Sequence, residues 1–566
     1  LFNRKLKVSF VFLAVFLCLV LTTSPLLSSY VIPPRTGPIT GEDYMVVSNN
    51  HITSMVGQKI LADGGNAVDA AVAMGINKGL VEPWISGPGG SAFAMYFCAE
   101  TEEIHYLNYS GRSPADLSLD DFPDGLPYRC PKGNTALVPV MFKGWEEMRE
   151  RFGTMSREEL YGPTIDMAIN GFPNYPALAS RWEEDHPWGD VRDWFQDHDG
   201  LGYETWWGGS TTPPELGETV TNPNMGESLK RIAEEGIEVF YGGELGQEFV
   251  DFLQDLGSVM TIEDLENATV DWQEPIETTY RDFELFMAPP NCSGGVAIAQ
   301  ILNILEGFDI EGMGFNSAEY VHAYIEATKL AVEDRAEWVS DPDFYPAPLD
   351  VLTSKEYAEE RRALIDPNEA AMEVSPGKER EGGTTSYAVI DKDGNMVSVV
   401  QSNGGGHGSN LIVGETGIHI NNGVAWMEDD PESVNVVEGN KRSRWNMTPV
   451  IAIKDGEPAF VLCASGGTAI WQALSQFVTK IVDFEMDPQE AQNAPHHRYM
   501  MEPTLPIRTE YLSDEVIEVL EDKGHLVDKR EIGAVGGNVN AIVIDRETGV
   551  YYGSINPRTQ GFAVGF

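Results

Sequence analysis

Apolar and polar residues alternate along this chain with two different periods, and each change of period marks an element. From His51 to Leu61 apolar residues recur at helical spacing, the pattern breaks at Gly64-Gly65, and a small-residue run from Asn66 to Ala73 resumes it. This predicts two helices, the second able to pack very closely on a neighbour. The turn Ser86-Gly87-Pro88-Gly89-Gly90-Ser91 then leads into a strand from Ala92 to Cys98. A glycine-rich turn that precedes a strand, and does not join a strand to a helix, argues against a dinucleotide or phosphate loop. Between 140 and 320 amphipathic helices alternate with acidic, tryptophan-rich loops. A strand is expected at Phe283–Met287, and a helix over Glu319–Glu333 with Glu326, Lys329 and Glu333 on its polar positions. From Thr384 onward the period becomes two. Tyr387–Ile390 and Met396–Val400 flank Asp391-Lys392-Asp393-Gly394-Asn395, a hairpin signal. Val450–Ile453 and Ala459–Cys463 repeat it around Lys454-Asp455-Gly456, and a helix over Ala469–Val482 follows. Hairpins that run into long helices predict an α+β fold of sheets layered against helices, not a Rossmann domain.

Charge narrows the partners. Of 566 residues, 88 are acidic and 38 basic, for a formal net charge of −50. Such an excess repels nucleic acid and anionic membranes. It also strains the fold by self-repulsion, which salt relieves by screening over roughly 10 Å, so a high-salt habitat is expected; an acidic secreted enzyme in ordinary salt is the alternative. Arg4, Lys5 and Lys7 precede an uncharged apolar run from Val8 to Leu21 that is short for a membrane span. Residues 1–29 therefore read as a signal peptide or an N-terminal anchor, and either places the body in a secreted, periplasmic or extracellular-facing location. Cys98, Cys130, Cys292 and Cys463 are too scattered to form a disulfide framework. His186, set among carboxylates after Trp182, has no second histidine at helical spacing, so that loop gives no metal motif.

The chemistry concentrates at Thr384-Thr385-Ser386-Tyr387, which follows the charged, glycine-ended run Lys378-Glu379-Arg380-Glu381-Gly382-Gly383. A hydroxyl residue heading a buried strand, reached by a flexible approach, is the layout of a self-cleaving N-terminal nucleophile. Cutting the Gly383–Thr384 bond gives the threonine its own base, an α-amine of reference pKa about 7.7 to 8 that can take the Oγ proton. Taken alone, the two threonines also fit a β-branched pair opening an ordinary strand.

The wider set of motifs decides between these readings. Gly64-Gly65-Asn66-Ala67-Val68-Asp69-Ala70-Ala71, Pro88-Gly89-Gly90, Pro289-Pro290 with Ser293-Gly294-Gly295, Asp334-Arg335 with Asp341-Pro342-Asp343-Phe344, Thr384-Thr385, Asn421-Asn422, Ser465-Gly466-Gly467 and Asn556-Pro557-Arg558 occur in this order. The chain thereby resembles the γ-glutamyltransferase, or glutathione hydrolase, family of the N-terminal nucleophile hydrolase superfamily, from Val46 to Phe566. The resemblance implies a four-layer αββα sandwich made as one precursor and needing no cofactor or metal. Cleavage would give a large subunit, 30–383, and a small subunit, 384–566, held as a heterodimer. It implies Thr384 as nucleophile, Ser402 as the hydroxyl bonded to the nucleophile region, Gly466 and Gly467 as oxyanion donors, and Thr385 as an aid in orienting the freed amine.

The donor pocket departs from the family. Where the family has Arg-Glu-x-Ala-Pro, this chain has Ser110-Gly111-Arg112-Ser113-Pro114, which puts Ser110 at the carboxylate clamp and moves the arginine two residues along. Trp426, three residues after Gly423 on the same pocket loop, stands where an aspartate receives the donor's α-ammonium. Trp445 and Asn446 replace paired serines, and the acceptor-side asparagine falls near Asn403 or Gly404. Asp429 and Asp430, a short loop away, are candidates to replace the missing carboxylate. Arg112 is expected to contact the donor carboxylate, while Trp426 and Trp445 favour an apolar or aromatic acyl body. The expected activity is hydrolysis of a γ-glutamyl amide such as glutathione, or its transfer to an amino acceptor. The alternative is an acylase of the same family acting on a glutaryl or other side-chain amide.

Overall fold

The computed structural model describes residues 37–127, 133–182, 201–372, 382–501, 504–530 and 535–566. The apolar N-terminal run, the loop bearing His186, and Lys378–Glu381 lie outside them. Among the described residues no helix is long and apolar enough to cross a membrane.

Local signals set the elements around the site. Asn50 caps helix α1 (His51–Ala62), and a capping box of Asn66 and Asp69 starts α2 (Ala67–Val81) just past the glycine break. The predicted hairpin forms from β8 (Gly383–Ile390) and β9 (Met396–Gly404), after strands β1 (Ile39–Gly41), β2 (Met45–Ser48), β3 (Ser91–Cys98), β4 (Glu103–Tyr109), β5 (Asp271–Gln273), β6 (Ile276–Tyr280) and β7 (Phe283–Met287). In its turn, the Asp391 carboxylate accepts the N–H groups of Asp393 and Asn395 at 3.0 Å and of Ala67 at 2.9 Å, tying the hairpin to the start of α2.

A second hairpin is built from β10 (Val450–Lys454) and β11 (Glu457–Ser465), and β12 (Asn538–Ile544), β13 (Tyr551–Ile555) and β14 (Phe562–Gly565) complete the strands. They form two seven-stranded sheets, one ordered β14-β2-β8-β9-β3-β4-β5, the other β1-β13-β12-β11-β10-β7-β6. Helices α1 and α2 cover the first sheet; α3 (Ser293–Leu305) and α5 (Ala469–Val482) cover the second, with α4 (Ala318–Trp338) packed on α3, and the sheets pack face to face between these layers. This is the four-layer αββα sandwich. Alternation along β8 shows why it is buried on both faces: Tyr387 and Val389 join the core under α2, whereas Ala388 and Ile390 join the core between the sheets. Strands from either side of Gly383 interleave, since β2 lies between β14 and β8, and β9 lies between β8 and β3.

One helix differs from expectation. Glu326 and Lys329 are buried, not solvated: the Lys329 ammonium lies 2.7 Å from Glu326 Oε1, and the pair holds the carbonyl and N–H of Ala371 at 2.7 and 3.1 Å. An i,i+3 pair that neutralises itself and satisfies a neighbouring backbone can be buried where its charges alone predict a wet face.

Candidate active site

The hairpin register bulges at the bond marked for cutting. Thr384 pairs with Ser402 and Gly383 with Gly404, so Asn403 is an extra residue opposite the Gly383–Thr384 peptide. Freed from the ladder, Asn403 donates its N–H to Ile85 O and accepts from Asn422 N, both at 2.9 Å. Gly404 takes a φ of 99°, and a Cβ there would meet Asn422 Oδ1 at 2.2 Å, so the position admits only glycine.

Ser402 links Gly383 to Thr384. Its hydroxyl donates to the carbonyl oxygen of Gly383 at 2.5 Å, and it accepts from Gly404 N–H at 2.8 Å and from the Thr384 hydroxyl at 3.4 Å. One side chain thus touches both the Gly383 carbonyl and the Thr384 hydroxyl. The backbone of Gly467 closes the other side: a Cβ on Gly382 would stand 2.7 Å from Gly467 Cα and 3.6 Å from Thr384 Oγ1. Gly466 and Gly467 have φ of 127° and 59° and precede α5, so the positive end of a helix dipole faces this place. Thr384, Ser402, Gly466 and Gly467 are therefore brought together.

Thr385 points to the opposite face of the strand. Its hydroxyl donates to Glu82 Oε2 at 2.8 Å, and Lys78 Nζ lies 2.6 Å from the same oxygen. Burial pulls the Lys78 pKa down while Glu82 raises it. Sequence reasoning missed both residues; the signal was a lysine inside a helix that has no polar face.

On the donor side Trp426 lies beside the bulge, its Nε1 3.1 Å from where a Gly404 Cβ would stand. Trp426 and Trp445 pack with ring centroids 6.1 Å apart. Asn446 Oδ1 accepts a hydrogen bond from Arg335 Nη2 at 2.8 Å, which fixes the amide so that Nδ2 points the other way. Among the described residues Trp426 Nε1, Trp445 Nε1 and Asn446 Nδ2 have no hydrogen-bond partner, although all three side chains are buried. Gly423, on the loop before Trp426, accepts the Ser443 hydroxyl at 2.6 Å and packs on Leu137. Ser110 is buried, its hydroxyl donating to Asn108 Oδ1 at 2.7 Å.

Arg112 is placed differently from the expected clamp. Its two terminal nitrogens contact Asp341 Oδ2 at 3.0 Å and Asp343 Oδ2 at 2.5 Å, and its backbone pairs with Arg442. Gly111 beside it is needed for close backbone contact, because a Cβ there would meet Val138 O at 2.1 Å. The ion pairs speak against Arg112 as the donor clamp. Asp429 and Asp430 are exposed: Asp429 accepts the Leu126 N–H at 3.3 Å and Asp430 that of Glu432 at 3.0 Å. Glu428, nearer the core, pairs with Arg444 at 2.5 Å. Elsewhere His322, Glu326 and His525 converge, but the Lys329 ammonium on Glu326 already supplies the cation.

Two facing sheets between helical layers, with a hydroxyl residue heading a central strand at a glycine-preceded bond, define the N-terminal nucleophile hydrolase class. Within that class the chain belongs to the gamma-glutamyltranspeptidase family, whose sequence model matches residues 53–566. It is 33% identical over 546 residues to the glutathione hydrolase-like YwrD proenzyme of Bacillus subtilis (strain 168), covering 93% of this chain and 99% of that one. It is 34% identical over 521 residues to the acylase ACY 1 proenzyme of Pseudomonas sp. (strain V22), covering 90% and 91%. The crystal structure of cephalosporin acylase from Bacillus halodurans superposes with a TM-score of 0.85 at 30% identity, covering 95% of this chain and 98% of that one.

Proposed function

We propose that this protein is an amide-cleaving acyl-transfer enzyme that first cuts itself at Gly383–Thr384 and then uses the freed Thr384. In the precursor, attack of Thr384 Oγ on the Gly383 carbonyl carbon would place negative charge on the oxygen that already receives the Ser402 hydroxyl. Hydrolysis of the resulting ester would free the α-amine, which serves as base for the next attack. On a substrate amide the acyl group passes to Thr384 Oγ, the leaving amine takes the proton, and water or an amino acceptor releases the acyl group. That the relatives are named proenzymes supports the self-cutting step and a heterodimer of the two pieces.

For the acyl group, the geometry favours the acylase reading over the γ-glutamyl one. The three unpaired N–H donors of Trp426, Trp445 and Asn446 carry this choice. A buried ammonium needs a carboxylate to offset its desolvation, and the nearby carboxylates are exposed or already paired. Unpaired N–H groups instead suit an acyl chain whose far end accepts hydrogen bonds, such as a carboxylate or carbonyl. The γ-glutamyl reading stands second, on the similarity to a glutathione hydrolase-like relative. Initial rates on glutaryl-, γ-glutamyl- and pentanoyl-p-nitroanilide separate the two. The acylase reading expects glutaryl to be fastest; a γ-glutamyl rate above it overturns this reading.

Export of the enzyme and adaptation to high salt also belong to this proposal. Sequencing the N-terminus of secreted protein tests the first. The second expects an unfolding midpoint that rises from dilute to molar salt, and a flat response sinks it.

A further inference from the structure

We propose that the buried Lys78–Glu82 pair is a positioning device for the nucleophile, acting through Thr385 from the far side of the sheet. The inference rests on the reading of Thr384 as nucleophile.

Because successive side chains of a strand point to opposite faces, Glu82 cannot touch Thr384. It holds the next residue instead. Glu82 Oε2 accepts from both Lys78 Nζ at 2.6 Å and Thr385 Oγ1 at 2.8 Å, with Lys78 and Thr385 fully buried. The backbone that follows Glu82 reaches the other strand of the hairpin: Ile85 O receives the N–H of the bulged Asn403 at 2.9 Å, and Trp84 O that of His407 at 2.5 Å. Gln401, which pairs with Thr385, donates to Gly75 O of α2 at 3.1 Å and to Ser86 Oγ at 2.5 Å. Glu82, at the end of α2, thus holds one strand a residue from Thr384, while Gly75 of α2 and the segment after Glu82, through Ile85 and Ser86, hold the other strand on either side of Ser402.

A buried pair is a costly way to hold a helix end, since apolar side chains of the same volume often do as well. What apolar side chains cannot supply here is an acceptor for the Thr385 hydroxyl. That acceptor fixes the rotation of β8 at its first residues, where a small error would misplace Thr384 Oγ against the Gly383 carbonyl.

Removing one charge strands the other in the core, so the test uses neutral pairs. In Lys78→Met/Glu82→Met the pair and the acceptor are both lost; in Lys78→Met/Glu82→Gln the acceptor returns without charge. The first should fold, cut itself at least about tenfold more slowly than wild type, and show kcat reduced about fivefold with KM within about twofold. The second should recover both rates to within about threefold. Thr385→Val should slow wild type by a similar factor yet add less than about twofold to Lys78→Met/Glu82→Met, because both changes break one bond. Wild-type cutting and kcat in the Met/Met variant, or full multiplication of the Thr385→Val effect in that background, overturns the positioning role alone. A wild type that is never cut overturns the Thr384 reading and this one with it.

Discussion

The proposed nucleophile end of the site and its proposed donor end are built from different parts of the chain. Around Thr384 the work falls to backbone: a bulge at Asn403, the glycine turn at 466–467 beside Gly382, and the Gly383 carbonyl that receives the Ser402 hydroxyl. Around Trp426 and Trp445 it falls to side chains, and among the described residues three buried N–H groups there have no partner. Backbone geometry is set by register and tolerates little change, whereas side chains can be exchanged one at a time without moving a strand. A family can therefore keep its cutting chemistry while altering what it cuts, and here the departures at Trp426, Trp445 and Asn446 fall at the donor end.

The sharpest way to break this contrast is at the nucleophile. Thr384→Ala should remain full length and lose activity by at least about 10⁴-fold, read by N-terminal sequencing and initial rate; an active uncut enzyme would refute the mechanism. Ser402→Ala removes the donor to Gly383 O and should slow self-cutting by about 10²-fold, seen as precursor persisting on a denaturing gel. At the donor end effects should be smaller and confined to substrate choice. Trp426→Phe keeps the ring and loses one N–H, so kcat/KM for glutaryl-p-nitroanilide should fall about tenfold, or 1.4 kcal/mol, while the pentanoyl compound and self-cutting are unaffected. Equal losses on both substrates would mean that the indole only packs.

Acid should separate stability from catalysis. Burial lowers the pKa of His419 to about 4 and of His497 and His525 to about 3. Below the unfolded value near 6.5 the unfolded chain takes up these protons first, so each histidine removes about 1.4 kcal/mol of stability per pH unit as pH falls from about 6.5 toward its folded value. Carboxylates titrate little between pH 6.5 and 5, so an unfolding midpoint unchanged across that window contradicts the burial. The rate on substrate should instead follow the freed α-amine, with a reference pKa of about 7.7 to 8. The smallest effect expected on catalysis is from Arg112→Ala: KM within about threefold, with stability lowered by about 1 kcal/mol, seen as a modest drop in thermal midpoint, as Asp341 loses a partner. A tenfold rise in KM in fully cut protein would restore Arg112 to the donor pocket.

What could be read in the sequence follows the same division. The hairpin at 383–404 was legible because Asp391–Asn395 punctuates two period-two runs, and α5 because its turn and apolar stripe are local. The bulge at Asn403 was not, since it depends on Ile85 and Asn422, far away in the chain. Glu326 and Lys329 suggested a solvated face because periodicity records charge but not partners. Lys78 and Glu82 were hidden by an apolar helix that gave no reason to look for a contact with Thr385. Arg112 was legible as the one arginine in its motif, but its partners Asp341 and Asp343 come from a distant loop.

The interleaving of strands has one more consequence. A chain cut at Gly383 would keep every strand in place, with pieces from both sides of the cut alternating across both sheets, so dilution offers no surface along which they could part. Unfolding is a different matter. Once melted, the two pieces must find each other again, and a search that was intramolecular in the precursor becomes bimolecular, competing with aggregation. The mature protein's persistence would then be governed by how slowly it opens and not by an equilibrium it can revisit. If cut at Gly383, the finished enzyme would lack folding information that its precursor carried.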